Sequence, residues 1–385
     1  MQDWVRARLA DLAAAGLLRD PADSELRTGA PAPSGGPWLD ACSNDYLGLG
    51  TSAVSRETLA SLEAAHPGAG AARLVQGTCP EHLELEANLA DWLGTEASLL
   101  TTSAFAANVG LLPAMVEPDS LIVSDALNHA SIVDGCRLAR ARVVVTPHLD
   151  LGAVEAALSV RSGTAPAWVV TEGLFSMDGD SPDLVGLRAL CDRFGAGLVL
   201  DEAHSLGVLG PSGAGLAAEL GVPVEVLVAG LGKAVGSQGG VIACSRDLRV
   251  WLWNRARPFV FSTAPSPLLC RVTLAQMKRA RTADVARAQL LARSAELRAA
   301  LVARGLADLS GSSGTSGPIV PVLLGSNDRA MRAMNELRRR GILAQAIRPP
   351  TVPLGSARLR LTVHANWPDD AVPRLIEALE VACGS

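Results

Sequence analysis

The stretch Val226-Leu227-Val228-Ala229-Gly230-Leu231-Gly232-Lys233-Ala234-Val235-Gly236 contains one of only two lysines in a chain of 385 residues that is otherwise rich in arginine. The apolar run Val226–Ala229 is typical of a buried strand, and the glycines after it predict a tight turn. Arginine stays protonated in proteins, whereas a desolvated lysine can lose its proton and form a Schiff base. We therefore interpret Lys233 as a chemical group; the alternative is a surviving surface charge.

Composition narrows the class of protein before other motifs are considered. The chain has 385 residues, 49% of them apolar, so it can bury a large core and form more than one lobe. Its formal net charge of −5 gives no basic surface for nucleic acid. Residues 1–18 lack a signal peptide's pattern and no stretch resembles a membrane span, so we expect a cytoplasmic protein. Seven cysteines, an odd number without a C-x-x-C pair, indicate neither a disulfide framework nor a metal site.

Short β-rich runs alternate with longer helical patterns between about residues 80 and 245. Several runs are apolar at every position, which is typical of strands covered by helices on both faces. The pattern predicts an α/β fold with a mostly parallel seven-stranded sheet in a large domain. The candidate strands are Ala97–Leu100, Leu121–Ser124, Val143–Thr146, Trp168–Thr171, Leu198–Asp201, Val226–Ala229 and Gly240–Cys244.

Reactive polar residues fall at the predicted strand ends. Ligands of open α/β sheets bind beyond the carboxyl ends of the strands. We therefore expect the functional site at that edge of the sheet. The residues concerned are Glu172, Asp201, His204 and Lys233.

A second, smaller α/β domain is predicted because the composition of the sequence changes after about residue 275. An Ala/Arg/Leu-rich helical region is followed there by a Gly/Ser-rich loop and by the candidate strands Ile319–Leu324, Ile342–Ile347 and Arg358–Val363. The Pro/Gly-rich stretch Pro21–Pro37 is typical of a linker after an N-terminal helix. The predicted domains are an N-terminal helix and linker that joins the small lobe (1–46), a large domain (47–275) and a C-terminal small domain (276–385).

The segment Asp201-Glu202-Ala203-His204 spells the acidic motif of DEAH-type helicases. A nucleoside triphosphatase of that kind also needs the phosphate loop G-x-x-x-x-G-K-[ST]. Here Lys233 is followed by Ala234, and Leu227 stands where the first glycine of the loop is required. The loop is absent, which disfavours this alternative.

An acid, a lysine and a histidine at strand ends instead suit pyridoxal phosphate. That cofactor withdraws electrons while its ring nitrogen is protonated, and a buried carboxylate such as Asp201 holds the proton. Lys233 would bind the aldehyde, and His129 would lie flat on the ring. Backbone N–H groups at the helix start Ser103-Ala104-Phe105 would receive the phosphate. His129 and His204 would each be structural if they stood alone; together with the acid and the lysine they indicate a cofactor site.

Several motifs in the same order resemble the α-oxoamine synthases, which are fold-type I pyridoxal phosphate enzymes. The similarity covers nearly the whole chain. The motifs are Asn44-Asp45-Tyr46-Leu47-Gly48-Leu49, Ser103-Ala104-Phe105-Ala106-Ala107-Asn108, His129-Ala130-Ser131, Thr171-Glu172-Gly173-Leu174-Phe175-Ser176-Met177-Asp178-Gly179-Asp180, the DEAH segment and the lysine turn. The segment Ile347-Arg348-Pro349-Pro350-Thr351-Val352-Pro353 resembles one branch of the family, the 8-amino-7-oxononanoate synthases of biotin synthesis.

The resemblance implies roles for the residues around the cofactor. Lys233 would be the Schiff-base lysine and the base that removes the α-proton of the amino acid. Asp201 would pair with the ring nitrogen, and His129 would stack on the ring and meet substrate. The other implied cofactor contacts are His204, Ser176, Glu172, Gly230 and the backbone of Ala104 and Phe105.

The resemblance also implies a reaction and its substrates. Asn44 and Arg348 would meet the amino-acid carboxylate, and Thr351 and Arg19 would lie near substrate. The implied reaction is a decarboxylating condensation of L-alanine with a pimeloyl thioester, of CoA or of a carrier protein, in a homodimer. The alternatives are a relative that uses glycine or serine with another acyl thioester, and a non-catalytic descendant.

Gly230 departs from the family pattern, which has a threonine three residues before the lysine. A hydroxyl that would bind the cofactor phosphate is lost, and such a hydrogen bond to a charged group is worth about 1.5–3 kcal/mol. Milder departures are Ala104 and Ser205, where the family usually has glycine. We therefore predict weaker cofactor binding than in a chain with threonine at position 230.

Overall fold

The computed structural model describes residues 1–19, 32–33, 36–63, 65–161, 165–307 and 317–384. Most of the predicted linker at 21–37 lies outside these residues. The strands are β1 (Leu39–Asp40), β2 (Ala97–Thr101), β3 (Leu121–Asp125), β4 (Arg142–Thr146), β5 (Ala167–Glu172), β6 (Gly197–Asp201), β7 (Val226–Gly230), β8 (Gly240–Cys244), β9 (Ile319–Gly325), β10 (Ile342–Leu343), β11 (Gln345–Ile347) and β12 (Ala357–Thr362).

Helices separate most of these strands, and no helix among the described residues is long and apolar enough to cross a membrane. A π-helix covers Arg73–Gly77 and a 3₁₀-helix covers Pro211–Gly213. The α-helices are α1 (Gln2–Ala14), α2 (Arg56–Leu62), α3 (Pro80–Leu93), α4 (Ala104–Ala114), α5 (Ala130–Ala139), α6 (Leu151–Ser159), α7 (Leu184–Phe194), α8 (Leu216–Leu220), α9 (Arg246–Arg255), α10 (Arg257–Val260), α11 (Pro267–Arg281), α12 (Asp284–Ala303), α13 (Asn327–Arg339) and α14 (Ala371–Gly384).

The chain divides into two compact units. The large unit comprises Asp45–Leu290 and Ser313–Gly317, and the small unit comprises Met1–Asn44, Leu291–Ser312 and Pro318–Ser385. The units separate within α12, whereas the boundary predicted after residue 275 lies within α11.

The described part of the large unit contains one seven-stranded sheet in the order β2-β8-β7-β6-β5-β3-β4. Strands β3 to β7 are parallel to their neighbours in this group, and β8 runs antiparallel to β2 and β7. Each predicted strand of the large domain is present, which confirms the mostly parallel seven-stranded sheet. Every residue of β7 and β8 is buried, as expected for strands with helices on both faces.

The parallel strands bring their last residues to one edge of the sheet. Glu172 ends β5 and lies in register with Asp201, which ends β6. Gly230 ends β7 and lies in register with Gly240 at the start of β8. Residues from distant parts of the sequence therefore meet at this edge.

Helix α4 begins close to the start of β8. The hydroxyl of Ser103 caps the helix by accepting from the N–H of Ala106 at 3.0 Å. A Cβ at Gly240 would lie 2.3 Å from the nitrogen of Ala104. Only glycine therefore allows β8 to pass this near the first residue of α4.

The small unit contains a three-stranded antiparallel sheet in the order β11-β12-β9 and a separate parallel pair, β1 and β10, within its described residues. The single strand predicted at 342–347 is wrong in one respect, because it is divided into β10 and β11. Ile342 and Leu343 pair with β1, whereas Gln345–Ile347 pair with β12. Both β10 and β11 bury apolar side chains, so the sequence is largely apolar on both sides of the break between them. The pattern therefore did not reveal that the paired strand changes from β1 to β12.

Candidate functional site

The amine of Lys233 belongs to a group of three hydrogen-bonded side chains in the large unit. Its Nζ lies 2.8 Å from Nε2 of His204, and Nδ1 of that imidazole lies 2.7 Å from the hydroxyl oxygen of Tyr46. Tyr46 is fully buried and His204 is 5% exposed, so both side chains are held in place by their surroundings. The structure thus brings the predicted residues Lys233 and His204 into contact.

Asp201 is fixed by hydrogen bonds to both of its carboxylate oxygens. Oδ1 accepts from the N–H of Ala203 at 2.9 Å, and Oδ2 accepts from the side-chain amide of Asn108 at 2.7 Å. The same amide donates to Oγ of Ser131 at 3.0 Å, and that hydroxyl lies 2.8 Å from Nδ1 of His129. Hydrogen bonds therefore connect the carboxylate of Asp201 to the imidazole of His129.

Glu172 supports the turn that carries His129. Its Oε1 accepts the backbone N–H of His129 at 2.6 Å. Burial, and then the neighbouring charge of Asp201, raises the pKa of the Glu172 carboxyl to about 8. At neutral pH Glu172 is therefore mainly protonated and adds little negative charge beside Asp201.

The imidazole of His129 is mainly neutral at neutral pH. Loss of solvent around the ring lowers its pKa, and the charge of Lys233 acts in the same direction, while Asp201 opposes both. Its Nδ1 accepts from the backbone N–H of Ser131 at 3.2 Å. The ring of Phe105 meets it edge-on, with centroids 6.3 Å apart. These contacts orient the ring.

The start of α4 offers backbone donors beside the end of β7. The first N–H groups of a helix have no acceptor within the helix, and in α4 these include Ala104 and Phe105. A Cβ built on Gly230 would lie 3.6 Å from Cβ of Ala203 and 3.7 Å from Cβ of Ala104. These are ordinary contact distances, so position 230 has room for a Cβ atom beside the first residue of α4.

Ser176 lies in the turn after β5. The side chain of His148 connects this turn to the end of β3 through two hydrogen bonds. Nδ1 of His148 lies 2.9 Å from a carboxylate oxygen of Asp125, and Nε2 lies 3.2 Å from one of Asp180. Burial opposes the charged form, but hydrogen bonds to both carboxylates raise the pKa of His148 to about 10. The protonated ring of His148 therefore connects Asp125, at the end of β3, to Asp180, in the turn that carries Ser176.

The small unit holds four of the five residues predicted to meet substrate, and the fifth, His129, lies in the large unit. Nη2 of Arg19 lies 3.4 Å from Oγ1 of Thr351. Oδ1 of Asn44 accepts from Nη1 of Arg360 at 3.0 Å. Arg348 is 5% exposed and donates to a backbone carbonyl just after α1. The structure thus pairs Arg19 with Thr351 and places Asn44 beside Arg360.

No role was predicted for Tyr46, Asn108 or His148. Tyr46 is the only tyrosine of the chain, a compositional signal as clear as the scarcity of lysine. Asn108 is a buried amide in an otherwise apolar helix, which also indicates a specific partner. The partners of His148 lie 23 and 32 residues away, and no local pattern points to them.

The large-unit residues fit pyridoxal phosphate. The fit rests on a hydrogen-bonded carboxylate at Asp201, an amine at Lys233 and backbone donors at the start of α4. The charges of Lys233 and Asp201 both act on His129, as groups surrounding a single small ligand would. Asp201 and Lys233 would hold the ring nitrogen and the aldehyde, and Ala104 and Phe105 would hold the phosphate.

The substitution Gly230→Thr is expected to strengthen binding of pyridoxal phosphate by roughly tenfold or more, because a hydroxyl bound to a charged group contributes about 1.5–3 kcal/mol. Gly230 has no left-handed backbone that would strain a threonine. Absorbance titration of the apoprotein measures the dissociation constant. Gly230→Ala is the matched control, since it adds the Cβ without the hydroxyl. Equal affinities of Gly230→Thr and the natural chain would refute the prediction.

Comparison with known proteins shows the family of the chain. The model of the family described as aminotransferase class I and II matches residues 37–379. A protein of Anaeromyxobacter dehalogenans named 8-amino-7-oxononanoate synthase is 46% identical over 383 residues, which are 98% of this chain and 94% of that protein. A protein of Paracidovorax citrulli with the same name is 42% identical over 386 residues, with 98% and 93% covered.

A solved structure extends the likeness to three dimensions. Serine palmitoyltransferase from S. paucimobilis, with a bound PLP–myriocin aldimine, matches with a TM-score of 0.89 at 25% identity, over 99% of this chain and 96% of that chain. This match confirms the predicted fold class, that of the fold-type I pyridoxal phosphate transferases. The chain therefore belongs to the aminotransferase class I and II family and shares a family with the 8-amino-7-oxononanoate synthases.

Proposed function

We propose that the protein is a pyridoxal phosphate-dependent acyltransferase of biotin synthesis. It condenses L-alanine with a pimeloyl thioester, of CoA or of a carrier protein, and releases 8-amino-7-oxononanoate, carbon dioxide and the free thiol of CoA or of the carrier. The observation that carries the proposal is the contact between the Lys233 amine and His204 at the sheet edge that also holds Asp201. The 46% identity to a protein named for this activity supports the choice of reaction.

Each large-unit residue has a definite task in this reaction. When bound, pyridoxal phosphate withdraws electrons from the α-carbon of the amino acid. The unprotonated amine of Lys233 takes the proton from that carbon and later returns one. Asp201 would stabilise the protonated ring nitrogen of the bound cofactor, and Asn108 keeps that carboxylate in place. His129 would lie against the ring and exclude water from it.

Four residues of the small unit complete the proposal. Arg348 and Asn44 bind the amino-acid carboxylate, and Arg19 and Thr351 lie near substrate. A guanidinium suits this task because its planar donors match a carboxylate in pairs. The hydrogen bond between Arg19 and Thr351 supports a shared role for these two residues.

We further propose a homodimer in the cytoplasm. Helix α1 supports the dimer, because it has no buried residue and exposes Trp4, Val5, Leu9 and Leu12. An exposed apolar stripe of this kind is typical of a surface that contacts another chain.

A panel of substrates tests the reaction. The purified protein, loaded with pyridoxal phosphate, is given alanine, glycine or serine together with pimeloyl-CoA or shorter acyl-CoAs, and carbon dioxide release is measured. We expect alanine with pimeloyl-CoA to give the highest kcat/KM by at least about tenfold, which is the discrimination that one methyl group provides.

Other results of the panel have definite meanings. Preference for glycine or serine, or for another acyl chain, would replace the named reaction with that of a related synthase. Absence of carbon dioxide release from every pair, in a protein that binds pyridoxal phosphate, would refute decarboxylative condensation. A pimeloyl carrier protein serves as the alternative donor before that conclusion is drawn.

A further inference from the structure

Tyr46 is the only tyrosine of the chain, and it is fully buried against the imidazole of His204. Its hydroxyl oxygen lies 2.7 Å from Nδ1, on the side of the ring opposite to Lys233. The phenol and the amine therefore lie at opposite nitrogens of one imidazole, which connects them.

The loop that carries Tyr46 is held firmly. The N–H of Gly48 donates to the carbonyl of Asp45 at 2.9 Å, and the Asp45 carboxylate accepts from the N–H groups of Gly50 and Thr51 at 3.0 and 2.9 Å. These bonds close the loop around Tyr46, so its hydroxyl has a fixed position.

The same loop packs against the lysine turn. Gly236, whose φ is 70°, donates its N–H to the carbonyl of Lys233 at 2.8 Å. A Cβ at Gly236 would lie 2.4 Å from the nitrogen of Gly50 and 2.6 Å from the carbonyl carbon of Leu49. Glycine at 236 thus permits a contact that sets the distance between the tyrosine loop and the lysine turn.

The chemistry of imidazole couples the two ends of this group. A neutral imidazole donates through one nitrogen and accepts through the other. If Tyr46 donates its O–H to Nδ1, the proton of His204 is on Nε2 and faces Nζ of Lys233. A neutral amine can accept a hydrogen bond from an N–H in that position. An ammonium group has only donors, so the two N–H groups would repel each other. A phenol is a strong donor, so this arrangement favours the unprotonated lysine.

We propose that Tyr46 is a positioning residue that holds His204 in the tautomer whose Nε2–H donates to the Lys233 amine, and so keeps that amine ready to react with a carbonyl group. The inference rests on the proposed function only for the use made of the amine. The coupling itself is a property of the protein without substrate.

The scarcity of lysine makes the test direct. Labelling lysine with carbon-13 and nitrogen-15 gives two side-chain NMR signals, from Lys233 and Lys278, which Lys233→Ala assigns. In Tyr46→Phe apoprotein we expect the titration midpoint of Lys233 to move to higher pH by roughly one unit. The Lys278 signal, from an exposed residue of α11, is the internal reference and does not change.

A second readout measures reactivity. The rate at which the Tyr46→Phe apoprotein binds pyridoxal phosphate covalently at pH 7 is expected to fall about tenfold, in line with the smaller fraction of neutral amine. The difference should disappear at a pH where the amine is unprotonated in both proteins. A merely structural defect would persist at every pH.

A double-mutant cycle tests the path through the imidazole. If Tyr46 acts through His204, then Tyr46→Phe has no further effect on the Lys233 titration in a His204→Gln background. An unchanged Lys233 midpoint in Tyr46→Phe, with a native circular dichroism spectrum, would overturn the proposal. Failure of the substrate panel would instead refute the proposed reaction and leave the titration result intact.

Discussion

Replacement of Lys233 by alanine is expected to abolish the visible absorbance of covalently bound cofactor and to lower kcat by at least about 10³-fold. Positioned proton transfer alone contributes about 10²–10⁴-fold, and the amine also provides covalent attachment. Absorbance spectra of the purified protein and carbon dioxide release measure the two effects separately.

The other lysine provides the control for this experiment. Lys278 is exposed on α11, so Lys278→Ala removes the same functional group from a position without a role in the site. It is expected to retain both the absorbance and the activity. A Lys233→Ala protein that keeps the wild-type absorbance band would refute the assignment of the reactive amine.

The substitution Asp201→Asn is expected to lower kcat by about 10²–10³-fold while the protein still binds pyridoxal phosphate. Asparagine keeps the shape of the side chain and one accepting oxygen, so the contact with Asn108 can persist. It has no negative charge to stabilise the protonated ring nitrogen, and removal of one preorganised electrostatic contact costs an effect of this size.

Steady-state kinetics and a cofactor titration together check this prediction. Asp192→Asn is the matched control, since its carboxylate is exposed and pairs with Arg188 in α7. A kcat within a few-fold of wild type in Asp201→Asn would show that this carboxylate does not hold the ring nitrogen. Loss of cofactor binding without loss of fold would assign Asp201 to binding in place of charge stabilisation.

The large-unit sheet could be predicted because each of its strands carries a strong local signal. Buried parallel strands require continuous apolar runs, and the runs that end just before Asp201 and at Ala229 show this clearly. Parallel strands place their carboxyl ends at one edge, so Glu172 and Asp201 could be expected at the same edge of the sheet; their direct register is a finding of the structure.

The contacts between side chains could not be predicted in the same way. Asn108 reaches Asp201 across 93 residues of sequence, and Tyr46 reaches His204 across 158. The hydrophobic periodicity of the sequence carries no information about such pairs, because they depend on how whole helices and strands pack together. The division of the strand at 342–347 was missed for a related reason, since an apolar run does not reveal which strand it pairs with.

The contact at Gly236 has a consequence for how the protein is made. Tyr46 leaves the ribosome long before Lys233, and nearly the whole large-unit sheet lies between them in the chain. The environment that makes the amine nucleophilic is therefore assembled by contacts distant in sequence, which form late because loop closure costs entropy. In a nascent or partly folded chain the amine of Lys233 lacks its contact with His204, so we expect its reactivity towards aldehydes to appear with the native structure.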